Sequence, residues 1–319
     1  MDVSVIIVNY NTLKLTKNTI DSVIEKTKGI NCEIILVDNA STDGSLEFFE
    51  KEYSNSINFI KNSENLGFGR ANNKGIEIAK GKYIFLLNSD TLLINNAIKL
   101  LFDFMEENSN CGACGGNLFN IDLNPVHSFI AEKPYISLKT EFNVYLNFIQ
   151  KLRYRILKKR NDFNYKSKPI EVGCITGADL MIRKEILDRI GYFDEDFFMY
   201  SEECELEYRI AKQGYKIISV PTAKIIHLEG KSTVFKEKKY HMILESKYKY
   251  FYKTTDLKTC KYAYYISQLG HIIKLSLTFN KDYLKMLKIN KEEYNKFIRN
   301  YKNPKKFQEL KGENNVKKN

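Results

Sequence analysis

The sequence contains no run of about 18–20 uncharged apolar residues, the length needed to span a bilayer. Its nearest approach, Tyr262 to Ile273, is bounded by Lys261 and Lys274 and interrupted by Ser267, Gln268, Gly270 and His271. That stretch is too short and too polar to cross, though it could lie in an interface. A secretory leader is also missing. The chain opens MDVSVIIVNY, an acid followed by a strand-like run, where a leader would carry a basic segment and a cleavage site. This predicts a reducing compartment with free thiols. The six cysteines include one C-x-x-C, Cys111 and Cys114, and no second pair at zinc-site spacing, so they read as small packing residues. The Walker pattern is absent. Asn65-Leu-Gly-Phe-Gly-Arg-Ala-Asn-Asn73 has only Gly-x-Gly and opens no first βα unit, which argues against a nicotinamide site. No internal repeat is present.

What the chain does have is a core-forming composition: 319 residues, 43% apolar and 13% aromatic, which excludes general disorder. Its formal charge of +11 is unevenly spread. Residues 1–150 are net −5 and 169–235 net −4, whereas 151–168 are net +7 and 236–319 net +13. A mildly acidic body with a basic tail is not a uniformly basic nucleic-acid protein, and no nucleic-acid motif covers the basic segments. Ten of the 21 tyrosines follow Lys236. Lysines interleaved with aromatics suit an anionic membrane surface, and equally a solvated helical face.

Strand and helix signals alternate through the first hundred residues. Val3–Val8 is a β-branched run of the kind buried on both faces, followed by a helix over Leu13–Thr27 and a strand over Glu33–Val37. A helix over Ser45–Tyr53, a strand over Ile57–Lys61, a helix over Gly67–Lys80 and a strand over Tyr83–Leu87 continue the series. The pattern predicts an α/β fold with a parallel sheet covered by helices and its site at the strand C-terminal ends. The polar clusters Asn9-Tyr10-Asn11, Asp38-Asn39 and Asn88-Ser89-Asp90 fall at those ends. Beyond Gly112–Gly116 the pattern loosens: 117–133 reads as hairpin or loop, and 141–160 as a helix with a basic end. A strand pair is expected around Gly177, a short helix over Lys184–Ile190, and a helix over Ser201–Gln213 with Ser201 as its N-cap. Strands over Lys216–Val220 and Ala223–Ile226 lead to His227, and after Lys236 come Lys/Tyr-rich helices with a disordered end from about Lys311.

Asp90 and Asp38 are each ordinary turn residues when taken alone; their position at the same end of one sheet suits a metal–diphosphate site. Glu202, Glu203, Glu205 and Glu207 crowd the first turns of one helix, where they complement its dipole, with Glu205 and Arg209 an i,i+4 pair. The preceding Phe197-Phe-Met-Tyr200 could supply an apolar wall that raises a carboxylate pKa toward that of a useful base.

Eight segments in this order resemble the family 2 glycosyltransferases of the GT-A fold, especially the bacterial rhamnosyltransferase-like branch. They are Ser4–Asn11, Val37–Ser45, Asn65–Asn73, Leu86–Thr91, Thr176–Ala178, Gly191–Glu195, Phe198–Leu206, and His227 with Gly230–Thr233. The resemblance covers about residues 2–253. It implies a GT-A catalytic domain with a mostly parallel central sheet over 1–235, followed by a helical extension over 236–319. The domain would divide into a nucleotide-binding half (1–116), a variable insert (117–170) and an acceptor half (171–235). The resemblance also implies a nucleotide pocket of Asn9, Tyr10, Asn11, Asp38, Asn65, Gly67, Asn72 and Ser89. Asp90 and His227 would be ligands of Mg²⁺ or Mn²⁺, and Glu203, or its neighbour Glu202, the catalytic base.

The implied activity is inverting transfer from a nucleotide-diphosphate sugar, dTDP-rhamnose-like or UDP-linked, to a hydroxyl of a glycan or lipid-linked acceptor. The implied setting is cell-surface polysaccharide synthesis, in the cytoplasm or on the inner membrane face. A non-catalytic nucleotide-sugar or glycan binder on the same fold is the alternative. Three departures from the family pattern stand out: Asn88 in place of the first aspartate of the D-x-D-type motif, Glu203 in place of an aspartate, and the charged Asp179 where an uncharged residue is usual.

Overall fold

The computed structural model describes residues 1–54, 56–132, 137–145, 162–228 and 237–301. They belong to two compact bodies, Met1–Tyr135 with Leu157–Glu195 and Glu202–Lys231, and Ile136–Ile156 with Asp196–Ser201 and Ser232–Asn319. The insert expected at 117–170 is thus divided between them. The basic stretch at 151–160, the Gly230–Thr233 motif and the end after Lys311 lie outside the described residues.

The first body opens as the sequence predicts: β1 (Val3–Asn9), α1 (Leu13–Lys26), β2 (Cys32–Asp38), α2 (Ser45–Glu52), β3 (Asn58–Lys61), α3 (Phe68–Ile78) and β4 (Tyr83–Asn88). β1 pairs in parallel with β2 and β4, and β2 with β3. Successive side chains of β1 go to opposite faces: Val3, Val5 and Ile7 enter one core cluster and Ile6 the other. Burial on both faces is why this strand reads as a continuous apolar run. Each such side chain contributes roughly 1.5–3 kcal/mol by leaving water. α3 approaches β1 closely at Gly75, where a Cβ would lie 2.6 Å from Ile6 Cγ2.

The chain continues through β5 (Thr91–Leu93), α4 (Ala97–Glu107), β6 (Cys111–Phe119), β7 (Phe129–Ile130) and α5 (Leu138–Tyr145), the last in the second body. β8 (Ile170–Glu171), β9 (Cys174–Ile175), β10 (Asp179–Arg183), α6 (Lys184–Ile190), α7 (Glu202–Lys212) and β11 (Lys216–His227) complete the first body. Its mixed sheet runs β3-β2-β1-β4-β10-β6-β11-β5, with β8 on β11, while β7 and β9 form a separate antiparallel pair. β10 lies antiparallel to both β4 and β6, and β6 is parallel to β11.

Three features differ from the sequence reading. α4 and β6 are additions to it: β6 is buried through Leu118, yet its glycines give no β signal. Gly116 is there because a Cβ would stand 2.6 Å from the Ala223 carbonyl oxygen on β11. The two strands expected over Lys216–Val220 and Ala223–Ile226 are one, β11, with a register irregularity between Ser219 and Lys224. Pro221 falls inside that irregularity, having no N–H to offer a ladder. Ser201 does precede α7, but with φ of 65°, next to Tyr200 at 74°, outside the extended geometry of a regular N-cap.

Asp179 acquires a structural account. The β10–β6 ladder runs through Met181–Cys114 and Ile182–Ala113. Two residues further along, the fully buried Asp179 carboxyl accepts from the Gly116 N–H at 2.6 Å. A side chain therefore takes the role of a backbone acceptor where the strands part. Burial holds this carboxyl well above the ordinary aspartate pKa, against the lowering effect of the Gly116 N–H.

The second body is helical: α5, then α8 (Glu237–Thr254), α9 (Leu257–Thr278) and α10 (Asp282–Tyr301). Its core cluster includes Leu244, Tyr248, Phe251, Cys260, Ala263, Ile289, Phe297 and Tyr301. Tyr264 and Tyr294 stack at 4.3 Å, and the Tyr248 hydroxyl donates to Asn290 Oδ1 at 2.5 Å. Most of the tail's tyrosines are thus packed inside it, and only Tyr262 and Tyr265 stand among its exposed large hydrophobic residues. The Lys247 ammonium meets Glu141 at 3.0 Å, with both side chains 8% exposed. Among the described residues no helix is long and apolar enough to cross a membrane.

Candidate active site

β1 and β2 end side by side at Asn9 and Asp38. Asn9 Nδ2 donates to Asp38 Oδ1 at 2.7 Å and to Ser41 Oγ at 2.9 Å, while its Oδ1 accepts from Thr12 and Thr16. The Ser41 N–H holds the other Asp38 oxygen at 2.9 Å. Asn9 is fully buried and Asp38 nearly so. Tyr10 and Asn11 are exposed above them, Asn11 with φ of 54° and its Oδ1 accepting from the Thr42 N–H at 2.7 Å.

A second knot centres on Asn39. Its Nδ2 donates to Asn65 Oδ1 at 2.9 Å and to the Gly67 carbonyl, while its Oδ1 accepts from Asn62 and from the Leu66 N–H. Asn65 also accepts from the Gly67 N–H at 2.9 Å. Gly67, with φ of 82°, then turns the chain into α3. Asn72 is buried in α3 and donates to the Phe68 carbonyl. These amides fix the loops that follow β1 and β2, with Tyr10 and Asn11 exposed and Asn65 half-buried.

β4 ends at Asn88, and Ser89 lies beside α1, where its hydroxyl accepts from Thr12 Oγ1 at 3.2 Å. Asp90 follows, and its carbonyl accepts from the Leu228 N–H at 2.9 Å. β5 pairs antiparallel with β11, His227 opposite Thr91. The two expected ligands therefore meet: His227 Nε2 is 3.3 Å from Asp90 Oδ1, and both side chains are partly exposed. One hard carboxylate oxygen and one imidazole nitrogen at a single point suit Mn²⁺, and suit Mg²⁺ when further oxygens complete its shell. Among the described residues no group of three or more His, Cys, Asp or Glu gathers as a metal site.

The acids of α7 have distinct surroundings. Glu205 is bridged by Arg209 Nε at 2.8 and 2.9 Å, in the expected i,i+4 pair. Glu207 is fully buried, accepts from the Ile175 N–H at 2.9 Å and from the Cys174 thiol, and is driven well above its ordinary pKa by burial. Glu202 is buried, its Cβ 3.7 Å from where a Cβ on Gly69 would stand. Glu203 alone of the four is only half-buried. Burial raises its pKa, against the lowering effect of the first helical N–H groups and of His127.

The matching family model is that of glycosyl transferase family 2, over residues 4–191. The chain belongs to this family. The match takes in the β1, β2 and β4 termini and Asp90, and stops before Glu203 and His227. Over 211 residues this family 2 transferase is 26% identical to an N-acetylglucosaminyl-diphospho-decaprenol L-rhamnosyltransferase of Mycobacterium tuberculosis, across 63% of this chain and 67% of that one. Over 259 residues it is 27% identical to an uncharacterized glycosyltransferase of Methanocaldococcus jannaschii, across 75% and 81%.

Among solved structures, the Pyrobaculum calidifontis mannosyltransferase in complex with GDP-Man and Mn²⁺ aligns with a TM-score of 0.58 at 15% identity, covering 95% of this chain and 87% of that one. GalNAc-T7 with UDP, GalNAc and Mn²⁺ aligns with a TM-score of 0.61 at 19% identity, covering 97% of this chain but 57% of that one. The fold of this family 2 transferase is GT-A.

Two residues of the site carry little signal in the sequence. Asn39 lies inside a segment that matches the family, yet nothing local marks it as the tie between β2 and the loop at 62–67. His127 sits unmarked in the 117–133 loop. Its Nδ1 lies 2.9 Å from Asp162 Oδ2, and the imidazole acts on the Glu203 carboxyl. No local pattern announces a pair whose members are 35 positions apart.

Proposed function

We propose that this transferase carries out inverting, divalent-cation-dependent glycosyl transfer from a nucleoside diphosphate sugar to a hydroxyl group. The observation that carries the reading is the convergence of Asp90 and His227, 3.3 Å apart, on a body whose α7 also presents the half-buried Glu203. Tyr10, Asn11 and Asn65 contact the nucleotide in this reading, over a floor set by Asn9, Asp38, Asn39, Gly67 and Asn72, with Ser89 at the diphosphate end. Asp90 and His227 would hold Mg²⁺ or Mn²⁺, which when bound stabilises charge on the departing diphosphate.

The Glu203 carboxylate accepts the acceptor hydroxyl proton as that oxygen bonds to the anomeric carbon. The bond from that carbon to the diphosphate oxygen breaks on the opposite side, and the configuration inverts. An elevated pKa makes Glu203 a stronger base than an exposed glutamate, so long as it is ionised at the working pH. Glu202, packed beneath Gly69, is the positioning neighbour. The rhamnosyltransferase-like kinship favours a dTDP-rhamnose-like donor over a UDP-sugar. It also favours a glycan or lipid-linked acceptor of cell-surface polysaccharide synthesis at the inner membrane face.

A thermal-shift screen of nucleotide sugars with Mn²⁺, followed by product analysis on lipid-linked acceptors, tests the reading. Glu203→Gln is expected to lose about 10²–10⁴-fold in turnover while keeping nucleotide binding. Full turnover in Glu203→Gln with loss in Glu202→Gln would transfer the base to Glu202. Binding without turnover in the wild type would mark a non-catalytic sugar-nucleotide binder.

A further inference from the structure

α9 has two usable faces. Cys260, Ala263, Ser267, Gly270 and His271 point into the second body and are buried. On the other side Tyr262, Tyr265, Leu269 and Ile272 recur at intervals of three and four residues, which sets them in one line along the helix. All four are about half exposed, from 47% at Tyr262 to 55% at Tyr265. Beyond this line the helix ends with two more exposed apolar residues off the row, Leu277 at 67% and Phe279, in the left-handed C-cap conformation, at 84%. Exposed apolar residues are ordinary when scattered; four in line on one helix face, with an exposed phenylalanine beyond the helix end, make an interaction surface.

The charges beside this row identify its partner. On the side of this row α9 carries Lys258 and Lys261, and the helix has no acidic residue; Lys274 lies on the other side, against Tyr145 and Tyr283. The Lys258 ammonium stands 5.9 Å from the Tyr262 ring centre and Lys261 6.0 Å from that of Tyr265. Long basic side chains lying over half-exposed tyrosines put apolar stems and rings inward and cations outward, the arrangement that suits a headgroup boundary. Two copies of this chain meeting through the row would set lysines against lysines with no acid between them. A surface of negative charge over an apolar interior complements it on both counts.

We propose that this face of α9 lies in the interface of an anionic lipid bilayer. Leu269, Ile272 and Phe279 enter the acyl boundary, and Lys258 and Lys261 sit at the phosphates. The inference does not depend on the transfer reaction, and its test requires neither donor nor acceptor. The full chain has no tryptophan, so Ile272→Trp introduces a single fluorophore on the row. Vesicles of phosphatidylcholine with phosphatidylglycerol are expected to shift its emission to the blue and to allow quenching by brominated acyl chains. Pure phosphatidylcholine vesicles should do neither. In flotation assays Leu269→Gln with Phe279→Gln should weaken binding to the anionic vesicles by about tenfold or more. Lys258→Glu with Lys261→Glu should remove the preference for anionic lipid. An unshifted Ile272→Trp emission would overturn the proposal, as would undiminished vesicle binding in the Leu269/Phe279 variant. So would a dimer in solution that the same variant disperses, since the row would then be a self-association surface.

Discussion

Asp179→Asn tests the raised pKa of the buried Asp179 carboxyl at the β10–β6 junction without any substrate. The amide keeps the size of the carboxyl and retains an oxygen to accept from the Gly116 N–H, which lies 2.6 Å from the carboxyl oxygen in the wild type. What it removes is the titration. The folded-state pKa is raised, so the wild type loses nothing below the unfolded value near 3.8, where both states are protonated. Above it the unfolded chain releases a proton that the folded chain retains, and stability falls as pH rises until the raised folded value is reached. Across that window one such group costs about 1.4 kcal/mol per pH unit. Urea unfolding followed by circular dichroism at a series of pH values from 4 upward should show the Asp179→Asn variant gaining on the wild type with about that slope. Asp179→Ala, which leaves the Gly116 N–H buried with no acceptor, should instead lose about 1–3 kcal/mol. A stability difference between wild type and Asp179→Asn that stays flat across this range would refute a raised pKa for this carboxyl.

Three further outcomes are expected. His127→Ala removes a side chain that lowers the Glu203 carboxyl, so the acid limb of the kcat/KM profile should move to higher pH; an unmoved limb would separate His127 from the base. Asp90→Ala should abolish the part of donor-induced thermal stabilisation that depends on Mn²⁺, and His227→Ala should weaken it, read by titrating the ion at fixed nucleotide. In the second body Glu141→Ala strands the Lys247 ammonium, which is 8% exposed, and should cost about 3–5 kcal/mol in denaturant unfolding. Replacing both by Leu and Met should recover most of that loss.

Much of the first hundred residues is legible in the sequence because its signals are local. β1 is buried on both faces and so is written as Val-Ser-Val-Ile-Ile-Val, and polar residues gather where such strands must end. The approach of Asp90 to His227 is available only through family likeness, since β5 and β11 pair across a long stretch of chain. β6 escapes a pattern reading because a strand squeezed between β10 and β11 uses glycine for clearance, which imitates a loop. Composition counts the tyrosines of the tail without orienting them: Tyr248 and Tyr301 fill a core, and Tyr262 and Tyr265 face outward. The His127–Asp162 pair and the acceptor role of Asp179 are tertiary facts with no periodicity to betray them.

The position of β5 has a consequence for how ligands act on the fold. It follows β4 after only Ser89 and Asp90 yet pairs with β11, so Asp90 lies on the short link between β4 and a ladder made with the last strand of the first body. Asp90 and His227 can meet only after the last strand of the sheet has docked, a closure of high contact order expected late in folding. An ion and nucleotide bound between them would therefore hold together the earliest and latest parts of the first body. At a hundredfold excess over Kd, a ligand specific for the folded state adds about 2.7 kcal/mol to its stability. For a body of this size each kcal/mol is worth roughly 2–4 °C in Tm, so the correct donor should announce itself by melting temperature before any product is identified.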